Sequence, residues 1–579
     1  MDNDGTKKKR IVNCHTHVFT GDHVPPYLAK TFLPWPLYYL VPLSLVVKLF
    51  RAWYGGPYRW QFRPAYKTLA RWNYLVKIFI YRSALLSFLR VIMGIWMTAE
   101  AFFIISGGIS KVSSPSSTIG RAIERSCAYL SEKRIIFIPE AFLLKVAIVF
   151  CLVILFKPGR NFLFFIIAKI WSVLGAFSGK KSKELAKRYV NLGRFAFYEN
   201  QSSIFGKLKN QYPEGTAFIL LPMDMEYMEA GKLKGGYRYA DQMKQLADIK
   251  AKNKDTAYPF VFAEPRRMIE EGKSHFDYHV TDDKVVLRDC FIKEYIEKNG
   301  FSGFKIYPAL GYYPFDEALL PLWKYAADAG LPILTHCIRG TIFYRGGKKS
   351  EWDFHPLFQE SSSNHTYRKL LLPEIKNSGY INNFTHPLNY LCLLDPELLL
   401  QLVAKAKDRK TWEVFGYDPS TGKMSQNLSH MKLCFGHFGG DDEWLKFLES
   451  DRDNYSSQLI RHPDRGISFR HGSNGKPAPG KIEALWKHTD WYSIICSIML
   501  QYDNVYADLS YIIHNPSIQP LLKQTLLNPK LRERVLFGTD FYVVRNHKSE
   551  KDMMAEALKH LTEEDFDQIA RCNPSAFIR

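Results

Sequence analysis

The chain has 579 residues, of which 46% are hydrophobic and 23% charged, and its net charge is +21. This composition excludes a disordered or collagen-like chain and allows a large buried core. Almost all of the basic excess lies in residues 1–210, and the rest of the chain is nearly neutral. A uniformly basic nucleic-acid-binding protein is therefore excluded, and we expect no nucleic-acid partner.

The nine cysteines are dispersed along the chain, and no two of them form a CxxC pair. An odd number without paired spacing argues against a disulfide framework or a thiolate zinc module and fits a reducing compartment. The N-terminus, MDNDGTKKKR, is not followed by the apolar region and small-residue cleavage site of a secretory signal peptide.

A short apolar run followed by a helical stretch recurs through most of the chain. Such runs, alternating with helices, predict buried parallel strands. The predicted strands lie within 10–17, 217–224, 258–264, 301–307, 331–336, 432–437, 504–510 and 534–540. The helical stretches between them include 238–251, 316–329, 443–449, 489–502, 518–527 and 550–561. Eight strands in this pattern predict an α/β fold, a (β/α)8 TIM-type barrel whose chemistry lies at the carboxyl ends of the strands.

Two long insertions interrupt the predicted barrel. Residues 1–17 hold its first strand, a large apolar helical insertion covers 18–216, and the remainder of the barrel follows in 217–579. Within that remainder, 337–431 form a second insertion, after strand five.

The first insertion holds most of the strongly apolar stretches of the chain. A helix that spans a bilayer needs about 20 mainly apolar residues. The turn at 157–160 predicts that the two stretches beside it form an antiparallel hairpin. The four stretches are 32–50, 83–106, 135–156 and 161–178.

Three interpretations of this insertion stay open: membrane-spanning helices in an even number, amphipathic helices in one leaflet, or a soluble apolar cap. Lys145 and Lys169 lie near the middle of their stretches, and a central lysine costs roughly 2.5–3.5 kcal/mol on insertion. Basic clusters at 7–10 and 180–188 flank the insertion, which places the barrel on the cytoplasmic side of a membrane. We therefore expect a membrane-associated protein with membrane lipid as a partner.

The strongest local motif is NCHTHVF at 13–19. Side chains two residues apart on a strand share a face, so His15 and His17 can bind one ion while Cys14 and Thr16 point the other way. An HxH motif alone is a weak signal, but its place on the first predicted strand strengthens it. Neutral imidazoles suit zinc, and three protein ligands with an open position are typical of a catalytic site.

Three further polar residues end later predicted strands: His336 the fifth, His437 the sixth and Asp540 the eighth. Each of them alone could equally be a buried, hydrogen-bonded core residue. Their joint occurrence with the HxH motif favours a metal site.

A histidine pair on strand one, histidines on strands five and six and an aspartate in VLFGTDF on strand eight resemble the amidohydrolase superfamily. The closer resemblance is to the amidohydrolase-related branch, which includes the aminocarboxymuconate-semialdehyde decarboxylase-like enzymes. NVYADLSY at 504–511 and IARCNPSAFI at 569–578 also resemble that branch. The resemblance covers 10–17 and about 211–579, and it does not extend to the apolar insertion.

The resemblance implies that His15, His17, His336 and Asp540 bind a divalent metal ion, with zinc expected and a second ion left open. It further implies that Asp540 accepts the proton of a metal-activated water. His437 would be either a ligand of a second metal or a catalytic acid/base.

Four more residues are candidates for the site. Lys305 lies where binuclear members place a bridging carbamylated lysine, and a substrate contact or a structural ion pair are its alternatives. Arg266 and Arg339 follow strand ends, where a guanidinium could bind a substrate carboxylate, although a surface ion pair is equally consistent. Tyr307, which ends strand four, is a further candidate for substrate binding.

These features predict a metal-dependent hydrolase that cleaves an amide, lactone or related C–N or C–O bond of a small-molecule substrate. A decarboxylase or other lyase of the same branch is the first alternative. A non-catalytic membrane scaffold with a structural metal is the second. The sequence leaves open the substrate and the oligomeric state.

Overall fold

The structure, a computed structural model, describes residues 9–33, 35–60, 64–110 and most of 185–578, together with short pieces of 125–148. The longest gaps in the last large range are 363–365, 450–454, 473–477 and 542–547. The chain divides into two compact units. Met1–Ala52 and Glu184–Arg579 form the first, and Trp53–Lys183 form the second.

The first unit has an α/β fold with parallel strands, and each of the eight predicted apolar runs contains a strand. The third run is divided by Phe260 into two short strands. The strands are β1 (Val12–Thr16), β2 (Ala217–Leu220), β3 (Ala257–Pro259), β4 (Val261–Phe262), β5 (Phe304–Ile306), β6 (Ile333–His336), β7 (Leu433–Gly436), β8 (Val505–Asp508) and β9 (Val535–Leu536).

The strands pair in parallel in two groups, β1–β2–β3 and β4–β5–β6–β7–β8–β9. Consecutive residues of one run supply β3 and β4, so the two groups are covalently continuous at Phe260. The first strand also bonds to the segment that begins with β9. Cys14 N donates to Phe537 O (2.9 Å), and Asp540 N donates to His15 O (2.8 Å). The side chains of His15 and Asp540 are held close together by this pairing.

Helices follow the strands as predicted, because their apolar faces cover the buried sheet. The predicted stretch 489–502, for example, is the helix Trp491–Gln501, whose first turn is capped by Asp490 accepting from Ser493 N (2.6 Å). The longer helices of this unit after residue 200 are Gln201–Lys209, Tyr239–Lys252, Pro265–Glu271, Leu320–Asp328, Pro396–Ala404, Arg409–Phe415, Asp441–Glu449, Ser456–Arg461, Lys481–His488, Trp491–Gln501, Gln519–Leu527, Glu550–His560 and Asn573–Ile578.

In the part of the chain that the structure describes, three antiparallel strand pairs lie outside this parallel arrangement. Tyr278–Thr281 pairs with Lys284–Leu287 between β4 and β5. The other two fall within the predicted second insertion, and they are Phe354–Ser361 with Tyr367–Leu371 and Tyr417–Asp418 with Lys423–Met424. The sequence pattern did not predict these pairs.

A β-bulge in β1 changes the expected direction of Cys14. Asn13 pairs with Phe218 of β2 and Thr16 pairs with Leu220, so β1 has one more residue than β2 between these two pairs. One extra residue on a strand re-aims the side chains that follow it. Cys14 therefore packs with Cys434 and Leu334 of neighbouring strands, and burial and the nearby Asp508 carboxylate raise its pKa. The prediction that Cys14 points away from the side of the histidines is wrong for this reason.

The second unit holds the most exposed apolar helices. Helix α1 (Leu43–Trp60) begins in the first unit and ends in the second, and α2 (Pro64–Arg82) and α3 (Ala84–Ser110) follow. Within α3, Ala84–Ile104 is long and apolar enough to cross a membrane. The stretch 32–50 is not one helix, because Pro36 and Pro42 precede a helix that starts only at Leu43. The predicted hairpin around 157–160 lies outside the described residues.

A buried hydrogen-bond network joins β1 to the segment after β9. Tyr212 donates to Glu550 Oε2 (2.6 Å) and accepts from Asn13 Nδ2 (2.8 Å). Asn13 Nδ2 also donates to Thr539 Oγ1 (2.8 Å), one residue before Asp540. Burial raises the pKa of Tyr212, so its hydroxyl keeps its proton. The network therefore fixes Asp540 relative to the strand that carries His15.

We expect Tyr212→Phe to lower the free energy of unfolding by about 1–3 kcal/mol, because the Glu550 carboxylate and the Asn13 amide each lose one buried hydrogen bond. Denaturant unfolding followed by tryptophan fluorescence measures this loss. Tyr258→Phe is the matched control, since its hydroxyl donates only to the surface carbonyl of Asp255. Equal stability of the two variants would contradict a structural role for the network.

Candidate metal centre

The imidazoles of His15 and His17 are oriented by partners of their Nδ1 atoms. His15 Nδ1 lies 2.8 Å from Asp508 Oδ2, and His17 Nδ1 lies 2.9 Å from the carbonyl of Leu221. A carbonyl only accepts, so His17 carries its proton on Nδ1, and the Asp508 carboxyl oxygen beside His15 Nδ1 favours the same tautomer in His15. Both rings then present the lone pair of Nε2. This is the second-sphere arrangement found around metal-bound histidines.

Asp540 approaches those two Nε2 atoms. Its Oδ1 lies 3.5 Å from His17 Nε2 and 3.9 Å from His15 Nε2. The ligand atoms of His15, His17 and Asp540 all lie within 4.8 Å of one another, and all three residues are buried. Three of the four residues that the sequence analysis assigned to the metal therefore converge.

The fourth, His336, lies beside His437. His437 Nε2 is 3.0 Å from His336 Nδ1, and His437 Nδ1 is 3.2 Å from the carbonyl of Ser510. If His437 donates from Nδ1 to that carbonyl, its Nε2 accepts from His336 Nδ1, which leaves His336 Nε2 with a lone pair. His336 Nε2 has no hydrogen-bond partner among the described residues. His336 is not within the 4.8 Å group of His15, His17 and Asp540.

Asp508, which the sequence analysis did not select, has the most contacts in the site. Besides His15, its carboxylate accepts from His437 N (3.0 Å) and Ser510 N (3.0 Å) and from the Ser510 hydroxyl. His15, His437 and Asp508 form a second group whose ligand atoms lie within 4.8 Å. Its sequence signal was its place at the end of the seventh predicted strand, in VYADLS.

Burial keeps the histidines of the site neutral. Desolvation, with Lys305 nearby, lowers the pKa of His17 to about 3. Burial also lowers the pKa of His15, His336 and His437 far below the ordinary value of an imidazole. A metal ligand must be unprotonated, so this environment prepares the rings for a cation.

Lys305, on β5, is fully buried, and its Nζ has no hydrogen-bond partner among the described residues. Burial lowers its pKa to about 8, although the Asp508 and Asp540 carboxylates oppose that change. The lysine thus lies within electrostatic reach of both acids. This position is consistent with the bridging and substrate-contact interpretations, and Lys305 Nζ makes no hydrogen bond to an acid of the described residues.

Backbone strain is concentrated at the ends of the strands that carry the site. His437 (φ 65°) and Asp540 (φ 59°) adopt left-handed conformations, which non-glycine residues seldom adopt. Such conformations persist only where the surroundings enforce them, and they cluster at functional sites. Gly436 is required by close approach, since a Cβ there would lie 2.6 Å from Thr335 O and 3.1 Å from His15 Cε1.

The residues present fit a divalent ion. His15 Nε2 is buried without a hydrogen-bond partner among the described residues, and an unpartnered buried nitrogen costs free energy unless a ligand satisfies it. Two imidazole nitrogens and a carboxylate oxygen are ligands that zinc and similar divalent ions accept. His15, His17 and Asp540 could hold the ion, with Asp508 orienting His15.

The three substrate-binding candidates have different surroundings. Arg266 binds Glu264 through two bonds (2.6 and 2.9 Å), so its guanidinium is paired with an acid of this chain. Arg339 is half-exposed and lies 3.5 Å from Glu443. Tyr307 stacks on the His336 ring with centroids 3.8 Å apart. Of these three, Tyr307 is the one that contacts a residue of the site among the described residues.

A sequence model of the amidohydrolase family matches residues 252–579, more than half of the chain. The chain belongs to the amidohydrolase family. No curated protein sequence gives a significant match.

Several solved structures of this family resemble the chain at low identity. They include 2,6-dihydroxybenzoate decarboxylase from Rhizobium (14% identity, TM-score 0.32, covering 66% of this chain and 91% of that one). A second is a dihydroxybenzoic acid decarboxylase from Polaromonas with bound manganese and 2-nitroresorcinol. It has 12% identity and a TM-score of 0.33, and the match covers 70% of this chain and 91% of that one. A third is 4-oxalomesaconate hydratase from Rhodopseudomonas palustris, with 13% identity and a TM-score of 0.29. That match covers 66% of this chain and 81% of the hydratase. Identities this low do not transfer a reaction or a substrate.

We expect Asp508→Ala to weaken Zn²⁺ affinity by about 10–100-fold, because His15 loses the partner that sets its tautomer. His15→Ala, which removes a donor atom, should weaken it further. Competition with a chromophoric chelator measures both. The matched control is Asp503→Ala, whose exposed carboxylate pairs with Arg534 on the surface. Unchanged affinity in His15→Ala would place the ion elsewhere.

Proposed function

We propose that this chain is a metal-dependent hydrolase that acts on an amide, lactone or related C–N or C–O bond of a small molecule. The observation that supports this proposal is the convergence of His15, His17 and Asp540 within 4.8 Å, with the Nε2 atoms of both histidines directed toward one carboxylate. Zinc is the ion we assign, because the donor set is two nitrogens and one oxygen.

A bound divalent ion would supply Lewis acidity, which polarises a carbonyl and makes water more acidic. Asp540 is the carboxylate nearest to the proposed ion, so it holds or releases the proton moved during bond cleavage. His437 is oriented by Ser510 and by the Asp508 carboxylate, which accepts from its backbone amide. Its ring lies between His15 and His336, with centroid distances of 4.6 and 4.8 Å, and its Nε2, 3.0 Å from His336 Nδ1, can exchange a proton during the reaction.

Decarboxylation is the second candidate, and the charge of the site favours it. Lys305 is buried among the ligands, and Arg188 lies close enough to lower the pKa of Asp540, though burial raises that pKa more strongly. Three carboxylates, Asp508, Asp540 and Glu550, face these two cations, which is one negative charge more than the cations and one less than a divalent ion would add. A divalent ion would then leave the site positive, which favours a carboxylated substrate.

Product analysis separates the two reactions. Hydrolysis incorporates ¹⁸O from labelled water into the product, whereas decarboxylation releases ¹³CO₂ from a carboxyl-labelled substrate. We expect His437→Ala to lower kcat about 10²–10⁴-fold on whichever substrate of a lactone, amide and aromatic-acid panel is turned over. His488→Ala, which changes an exposed histidine, is the control. Full activity in His437→Ala would remove His437 from the proposed catalytic machinery, whereas bound metal without turnover of any member of the panel would support a non-catalytic scaffold with a structural metal.

We further propose that β1 to β9 form a closed (β/α)8 barrel with residues 18–216 and 337–431 as its insertions. The hydrogen bonds from Cys14 N to Phe537 O and from Asp540 N to His15 O support this closure, because they join the first strand to the last. In this arrangement all the site residues occupy the carboxyl ends of strands.

We also propose that the helices of the second unit associate with a membrane, with the barrel on the cytoplasmic side. Supporting this, α2 buries none of its side chains, and α3 exposes large apolar residues along its length. Apolar surface of this extent on a helix is typical of a membrane or protein contact. A spanning and an interfacial position both stay open.

We expect the triple variant Leu85→Ser, Phe88→Ser and Ile95→Ser to lower binding to anionic lipid vesicles at least about tenfold, because each exposed side chain contributes buried apolar area. Sedimentation with vesicles measures the bound fraction. The control replaces Ile269, Ile460 and Leu527, which are equally exposed on the first unit. Equal loss in both variants would contradict a specific role for α3.

A further inference from the structure

Arg345, in the segment after β6, is a buried arginine without an acidic partner. Its side chain is 1% exposed, and no carboxylate lies within 4 Å of its guanidinium among the described residues. Arg267 is nearly as buried but binds Asp224, Glu226 and Glu271. A buried cation is costly unless it is paired, and the fold supplies the pairing at Arg267 but not at Arg345.

The guanidinium is held in place by contacts that leave its Nε atom without a partner among the described residues. Nη2 donates to the carbonyl of Thr341 (2.7 Å), and Nη1 donates to Thr31 Oγ1 (3.4 Å). Its plane lies over the Phe343 ring, 3.8 Å from the centroid. Nε has no hydrogen-bond partner among the described residues. The hydroxyl of Thr341, which is also fully buried, has none either.

The same segment continues directly to the metal centre. A Cβ on Gly340 would lie 3.7 Å from His336 Nε2 and 3.8 Å from the Tyr307 hydroxyl. Gly340 precedes Thr341, whose carbonyl holds Arg345. The Tyr307 hydroxyl and Arg188 both act electrostatically on Arg345. Thr341, whose hydroxyl has no hydrogen-bond partner among the described residues, therefore follows directly on the residue that approaches His336 and Tyr307.

We propose that Arg345 and Thr341 form an anion subsite that binds an oxyanion, a carboxylate or phosphate group, of the substrate. The assignment of that anion to a substrate rests on the proposed function, whereas the subsite itself does not. An oxyanion would accept from Arg345 Nε and Thr341 Oγ1 together and would neutralise the buried guanidinium. Arg266 and Arg339 do not offer this, because each has an acid of the chain beside it.

The test uses the purified full-length protein and two probes, inorganic phosphate and benzoate, titrated calorimetrically at constant ionic strength in zinc-loaded and metal-free protein. We expect saturable binding of one probe, which identifies the group as phosphate or carboxylate. Arg345→Met should raise the Kd of that probe at least about tenfold, since a charged hydrogen bond is lost. Arg532→Met is the control, because Arg532 pairs with Glu564 and Asp565.

Zinc content, measured in parallel, separates this inference from the proposed function. Probe binding that depends on Arg345 in a protein that takes up no zinc would overturn the function and leave the subsite standing. Zinc uptake with no saturable binding of either probe, or with equal Kd in wild type and Arg345→Met, would overturn the subsite alone. If Arg345→Met does not fold, Arg345→Lys replaces it, and the same tenfold criterion applies because lysine lacks the planar set of donors.

Discussion

The site depends on one buried carboxylate that faces several elements at once. Asp508 ends β8, and it contacts the His15 ring from β1, the His437 amide after β7 and the Ser510 amide and hydroxyl beyond its own strand. A carboxylate satisfied by so many donors is well stabilised without a cation of its own. It therefore fixes the positions of its neighbours, while the Asp540 carboxylate faces the Nε2 atoms of His15 and His17.

The strained residues follow from this arrangement. His437 takes a left-handed backbone at the point where its amide donates to Asp508, and Asp540 does so where its amide donates to the His15 carbonyl. Each strain energy of about 1–3 kcal/mol is offset by a hydrogen bond inside the protein and by burial of the flanking strands. The outcome is that side chains from distant parts of the sequence converge without a long loop to carry them.

The sequence predicted much of the fold, because a buried parallel strand leaves a nearly continuous apolar run that is read directly. It also predicted that His15, His17, His336 and Asp540 meet, and His15, His17 and Asp540 do so, whereas His336 lies outside their 4.8 Å group. It did not identify Asp508, because an aspartate at a strand end is common and its partners are set only by tertiary packing. The bulge that redirects Cys14 was likewise hidden, since one extra residue in a strand does not alter its apolar pattern.

The arginines also show that the sequence does not reveal which side chains tertiary packing brings together. Arg266 and Arg339 were favoured because they follow strand ends closely. Their position along the chain does not reveal that each lies beside an acidic side chain in the folded protein. Arg345 stands nine residues beyond His336, in a segment that the sequence analysis assigned to an insertion, and its isolation from acids follows only from the packing of Phe343 and Thr31 around it. Free cationic charge in a site is therefore a property of the folded neighbourhood. A candidate anion-binding cation is therefore a buried lysine or arginine without an acidic partner, because burial of a charge is costly unless it is paired.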